Sequence, residues 1–366
     1  MQRLTIFLWN SLTSMKELIG YGGITLIKET KQNCGKEEAL FLESLEERIK
    51  RIVSFFKMIA KGEVNYFKLL ESYGVDEEMI SEIMKFMESF DFQEVLQKLF
   101  LSRRYYITKP CTLEEREEAK KVVWNILKKA YELLFTNLFE CFEEYSKLVE
   151  FRDYGDHFHS YGKIAISLDL MGYIEILKGT ELERKPCIFY ISRDILHEIG
   201  HQIHYLQTIN STLPEFMKVN LIKVDMLVNE LVAERTELLA LERKEFYEED
   251  LKDFFEANIN FEILTKAINL IGDFIYLKEG EKSLVKYLYQ YTNEKYYRSN
   301  CFRNKLRNFY KIEFPDRIVE RVESMAVLYA KIKARKIANS MPFKDFIKIC
   351  KGYWAPKTFL KIIENK

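Results

Sequence analysis

His197-Glu198-Ile199-Gly200-His201-Gln202-Ile203-His204 sets the reading of this chain, because two histidines stand four residues apart with a glutamate directly after the first. On an α-helix, positions i and i+4 lie almost one above the other, so both imidazoles reach a single cation. Glu198 then points beside that cation and is placed to handle a proton, not to bind metal. The pattern requires a helix here. Working outward from it gives a mainly α chain interrupted once by a small sheet.

Just upstream, after Gly179 and Pro186, the apolar run Ile188 to Ile191 leads through Ser192 and Asp194 into this helix. Further back, glycines and small polar residues from Tyr154-Gly155-Asp156 to Ser160-Tyr161-Gly162 break the helical patterning, so a sheet is expected to start here. Ile164, Ile166, Leu168 and Leu170 alternate, and Met171-Gly172 offers a turn before Tyr173 to Leu177, which predicts a hairpin. The N-terminal part reads as helices. Residues 36 to 61 carry an apolar stripe of Leu42, Leu45, Ile49, Ile52, Phe56 and Ile59, and a second helical region, 63 to 103, breaks near Tyr73-Gly74-Val75. A third begins with Thr112 and Glu115 in capping-box spacing and runs to about residue 148. From about 216 onward the patterning is again helical. These readings predict a helical N-terminal lobe, 1–150, and a second lobe, 151–366, holding the sheet, the histidine helix and further helices around a cleft.

With 366 residues, 48% of them hydrophobic and 14% aromatic, the chain builds a large core. Lysine plus arginine and aspartate plus glutamate both total 56, so no whole-chain field recruits nucleic acid or an anionic membrane, and neither is expected as a partner. Six cysteines lie scattered without a CxxC pair, which reads as reduced thiols in a cytoplasmic protein. The opening MQRLTIFLWNSLTSMKELIG has too short an apolar run for a signal-peptide core, and no stretch of about 18 apolar residues predicts a membrane span.

Two histidines leave a zinc ion short of protein donors, and a catalytic site keeps one position open for water. Glu230, Glu234 and Glu237 supply candidates at i, i+4 and i+7, an acidic stripe amid apolar neighbours. His204, three residues past His201, either supports the site or packs in the core. His157 and His159 alternate beside Asp156, where they either meet substrate or a second metal or serve packing.

HEIGHQIH resembles the HExGHxxH motif of the thimet oligopeptidase and oligoendopeptidase F family, with Leu196 before it fitting as well. Asn229-Glu230 resembles the second helix of gluzincins, in which the glutamate after an asparagine binds zinc. That family carries another glutamate seven residues on, the separation of Glu230 and Glu237. Lys286-Tyr287-Leu288-Tyr289-Gln290-Tyr291-Thr292 is similar to its FYVYQYAT segment, and Gly162-Lys163 to the start of its substrate strand. The resemblance covers about residues 150 to 300. It implies a helical gluzincin-type peptidase with a small sheet beside the HExxH helix and a deep cleft, one Zn2+ held by His197, His201 and Glu230, and Glu198 as general base. It further implies supporting or substrate-binding roles for Glu234, Glu237 and His204, and Tyr289, ahead of Tyr287 and Tyr291, as oxyanion donor. The expected substrates are short, extended oligopeptides bound along the strand at 163–170. Two departures stand out. The 28 residues between His201 and Glu230 make a longer connection than the family's, and the stretch Phe274 to Lys278 lacks a histidine that the family places there. The alternatives are an exopeptidase of the same gluzincin type, and a non-catalytic helical peptide-binding protein with structural zinc.

Overall fold

The computed structural model describes residues 43–95, 112–135, 147–152, 158–160, 163–167, 181–209, 226–242, 252–292, 297 and 299–346, apart from isolated positions 44, 45, 48, 49, 52, 56, 63 and 343. In chain order the elements are α1 (Tyr66–Tyr73), α2 (Glu77–Glu88), α3 (Leu113–Phe135), β1 (Val149–Arg152), β2 (Phe158–Ser160), β3 (Lys163–Ser167), α4 (Glu181–Ile209), α5 (Met226–Glu237), α6 (Leu239–Glu242), α7 (Lys252–Glu279), α8 (Glu281–Thr292), α9 (Asn300–Asn308), a π-helical turn (Phe309–Glu313) and α10 (Phe314–Asn339). The protein is therefore mostly helical with one small sheet. None of the described helices is long and apolar enough to cross a membrane.

The chain forms two compact units, Met1–Leu96 with Asn260–Ile332, and Gln97–Ile259 with Lys333–Lys366. Each unit draws on two separate stretches, whereas the division at residue 150 follows sequence order.

In the first unit, local chemistry sets the ends of the helices. Asn65 caps α1 by accepting from the Lys68 amide, and Gly74, at φ +87°, closes it with the left-handed geometry that favours glycine. Asp76 then caps α2. This is the break read at Tyr73-Gly74-Val75. Leu69, Leu70, Ile80, Ile83 and Met87 are buried on these two helices, and Ile263, Leu264, Ala267 and Ile271 on α7. Of the stripe read over 36 to 61, Ile59 is buried, as is the neighbouring Phe55, while the other stripe side chains lie outside the described residues. A buried charge anchors the unit further: Asp273 accepts from Tyr310 Oη at 2.8 Å and from Arg321 Nε at 2.5 Å. Burial alone raises the Asp273 pKa, and the Arg321 guanidinium opposes that shift.

The second unit is organised around α4, which packs on α5, α3, α6, β2 and β3. Ile195, Leu196, Ile199 and Ile203 form its buried side, facing a core that includes Leu127, Ala130 and Leu134 of α3 and Leu231 and Val232 of α5. Tyr131 Oη donates to Gln202 Oε1 at 2.6 Å, so the buried Gln202 amide of α4 is satisfied. The sheet has the order β1-β3-β2, with β1 and β3 parallel and β2 and β3 antiparallel.

Three expectations about local structure need correction. Lys147 and Leu148 form a turn and β1 begins at Val149, so helix does not run to 148 and the sheet starts before Tyr154. Val149 and Phe151 alternate with Glu150 and Arg152, a period-2 signal hidden at the end of a long helical reading. Helix α4 begins at Glu181 and carries Pro186 inside it. Pro186 is the sixth residue of the helix, so it removes one internal backbone hydrogen bond in the second turn and the helix continues through it. Finally, β3 is the central strand, with β1 paired to residues 164–167 and β2 to residues 163–165, so Ile164 and Ala165 are covered on both sides, while residues 168–170 lie outside the described residues. The hairpin turn at Met171-Gly172, the strand read at 173–177 and the opening segment lie outside the described residues.

Candidate metal centre

Helix α4 presents His197 and His201 one turn apart, with ring centroids separated by 4.8 Å and planes at 89°. Helix α5 lies against it. The closeness of the two helices has a local cause: a Cβ on Gly200 would fall 2.5 Å from Ala233 Cα and 2.9 Å from both Ala233 N and Val232 O. Only a residue without a side chain allows the two backbones to meet there. That contact brings Glu230, one turn before Ala233, alongside the histidines.

Glu230 Oε2 stands 3.8 Å from His197 Nε2, and Glu230 Oε1 stands 3.9 Å from His201 Nε2. Donors bound to zinc at about 2.0–2.1 Å in a tetrahedron are about 3.3–3.4 Å apart. These spacings are about half an ångström wider, a difference that side-chain rotation closes. The inner ring nitrogens are both engaged. His197 Nδ1 lies 2.9 Å from Glu237 Oε2 and His201 Nδ1 lies 3.0 Å from Asn229 Oδ1. Each acceptor directs a proton to Nδ1 and leaves the Nε2 lone pair facing Glu230, the arrangement of metal-binding histidines.

Burial separates donors from supports. The side chains of His197, His201 and Glu230 are 14%, 12% and 12% exposed, whereas those of Glu234 and Glu237 are 1% and 6%. His197, Glu234 and Glu237 also lie close enough to share a cation. That grouping uses His197 Nδ1, and its 2.9 Å separation from Glu237 is a hydrogen-bond length, shorter than the gap between two ligands of one zinc ion. The group formed by His197, His201 and Glu230 is therefore the one with metal-ligand spacing. Among the described residues no further histidine, cysteine, aspartate or glutamate joins it.

Glu198 follows His197 on α4 and is partly exposed, but its Oε2 is shielded from solvent and accepts no hydrogen bond from the described residues. Burial lowers the pKa of His201, opposed mainly by the Glu230 carboxylate. His204 is fully buried, and burial followed by the proximity of His201 pushes it down to about 3, so its ring is neutral. It follows His201 by about one turn on the same side of α4 as the two donor histidines, and is more deeply buried than either.

His159 lies on β2, paired with Ile164, and His157 lies outside the described residues. Tyr289 belongs to α8 in the first unit. Its neighbours Tyr287 and Tyr291 face that unit's interior: Tyr287 Oη reaches Met87 Sδ at 3.8 Å, and the Tyr291 ring meets Tyr287 and Phe92 edge-on. Tyr289, two residues from each, projects from a different side of the helix.

Several residues around the centre were not singled out by sequence. Arg193 lies one turn before His197, with Nε 3.7 Å from Glu237 Oε1, a placement readable from helical spacing. Arg335, with Nη1 3.6 Å from Glu234 Oε2, comes from α10 and leaves no local signal. Asn229 was read only as the residue before Glu230, and Gly200 only as a motif letter. Comparisons with protein families, with curated proteins and with solved structures found no match to this chain.

Proposed function

We propose that this protein is a zinc-dependent metalloendopeptidase of gluzincin type, acting on short, extended oligopeptides in a cleft lined by α4 and the sheet. One observation carries the reading: both Nε2 atoms face the Glu230 carboxylate while both Nδ1 atoms are held from behind, with Glu198 immediately beside them. This donor set suits one Zn2+ at His197, His201 and Glu230, with room for water. Bound there, zinc supplies a water of pKa near about 7 and polarisation of the scissile carbonyl.

The chain's own groups do the rest. Glu198 takes the proton as water oxygen bonds to the carbonyl carbon, then delivers it to the amine nitrogen as the C–N bond breaks. Glu237 and Asn229 hold the two imidazoles in the tautomer that leaves Nε2 available. Peptide backbone would add to β2, an outer strand that packs against α4, and such pairing favours extended chains with little sequence demand. The scattered cysteines suit a reducing compartment, so the proposed place of action is the cytoplasm.

A mixed quenched-fluorescent peptide library, incubated with zinc-loaded protein and with Glu198→Gln, tests the proposal. Internal fragments from wild type and almost none from the variant are expected. Release of single amino acids would make it an exopeptidase, and zinc binding without cleavage would make it a peptide-binding protein with structural zinc.

A further inference from the structure

Glu234 and Glu237 both approach the inner nitrogen of His197, Glu234 Oε1 at 3.9 Å and Glu237 Oε2 at 2.9 Å. Two buried carboxylates beside one imidazole repel each other, and such a pair persists only with compensation. Each has a guanidinium on its far side. Arg193 approaches Glu237, and it also clasps Asp194 Oδ1 through Nε at 3.0 Å and Nη2 at 2.7 Å. Arg335 approaches Glu234 from α10, and both partners of that pair are buried. The ring of His197 thus has one hydrogen-bonded carboxylate, Glu237, and a second, Glu234, at 3.9 Å, with a guanidinium beside each, Arg193 from α4 and Arg335 from α10.

We infer that Arg335 is a positioning residue for the metal centre: by keeping the Glu234 carboxylate 3.9 Å from His197 Nδ1, alongside the Glu237 hydrogen bond, it helps fix the ring so that Nε2 faces Glu230. This rests on the zinc reading of that site. A guanidinium serving only packing and charge balance would, when replaced by methionine, leave Glu234 as an unpaired buried charge and lower the melting temperature without weakening metal binding. Replacing a positioning guanidinium would weaken metal binding as well. Support groups one step removed from a metal typically change affinity by about 10–100-fold when altered.

The test measures zinc dissociation constants by competition with a chromophoric chelator, alongside melting temperatures of the metal-free proteins, for wild type, Arg335→Met, Arg335→Lys, Glu234→Gln and the Glu234→Gln/Arg335→Met pair. Arg335→Met is expected to weaken zinc binding about 10–100-fold and Arg335→Lys to recover most of that loss. In the Glu234→Gln background, Arg335→Met is expected to add little. Wild-type affinity in Arg335→Met, or an equal further loss in the Glu234→Gln background, overturns the inference. If Arg335→Met does not fold alone, the pair, which removes both charges together, decides: affinity about 10–100-fold below wild type supports the inference and wild-type affinity overturns it. Wild-type protein that binds no zinc overturns the proposed function itself, whereas tight binding by every variant overturns only the role of Arg335.

Discussion

Replacing Gly200 with alanine tests how the two helices build the centre. The new methyl carbon would stand 2.5 Å from Ala233 Cα and 2.9 Å from Ala233 N and Val232 O, whereas carbon atoms in ordinary contact lie about 3.5–4.0 Å apart. Relief therefore needs about 1 Å of separation between α4 and α5. Overpacking of this kind typically costs about 1–3 kcal/mol, so the metal-free protein should melt at a lower temperature. The effect on the site should be larger. Glu230 rides on α5, and an added ångström takes its 3.8 and 3.9 Å gaps to the histidines to about 5 Å. Two zinc bonds of about 2.1 Å span at most about 4.2 Å even when collinear, so three-donor binding should fail and zinc affinity should fall by well over tenfold. The clashing atoms are backbone, so trimming Ala233 to glycine should not rescue the variant. Chelator competition and thermal melts of the metal-free proteins read both effects. A Gly200→Ala protein with unchanged zinc affinity and unchanged melting would refute the close approach and the site geometry built on it.

Three further outcomes are expected. Glu198→Gln should lower peptide turnover by about a hundredfold to ten-thousandfold while zinc content stays at the wild-type level, as measured by paired kinetics and metal analysis. Asn229→Ala removes the acceptor for His201 Nδ1 and should weaken zinc binding by about 10–100-fold in the chelator assay with little loss of folded protein. In the first unit, burial, aided by Glu320, pushes Glu323 from its ordinary 4.5 up to about 7, against a hydrogen bond from Tyr73. The folded state then holds that proton more tightly than the unfolded chain. Stability from this group is fully present below 4.5 and declines as pH rises through about 7, by about 3 kcal/mol in all. Denaturant titrations between pH 4.5 and 8 should show that decline in wild type and a flatter profile in Glu323→Gln.

What could be read from sequence was what depends on local spacing. Histidines four apart are neighbours on any helix, and Glu230 with Glu237 seven residues on share a face of the next one, so these side chains could be nominated without coordinates. The break at Gly74 was legible because a left-handed glycine cap followed two residues later by an aspartate cap is a local device. Other features depend on distant partners. The reason for glycine at position 200 is the backbone of Ala233, and Arg335 reaches Glu234 from a helix that no spacing rule connects to it. Pro186 misled because a helix can continue through a proline at the loss of one internal hydrogen bond, which the sequence leaves open. The strand at 163–167 was recognisable by alternation, but its central place in the sheet depends on β1 and β2, one of them hidden at the end of a helical pattern.

X-ray absorption at the zinc edge of protein dialysed after zinc loading addresses the central claim most directly. One zinc ion per chain, with two imidazole nitrogens and oxygen donors at about 2.0–2.2 Å, is the expected result. A shell containing sulfur at about 2.3 Å, or no zinc retained after dialysis, would contradict a centre built from His197, His201 and Glu230.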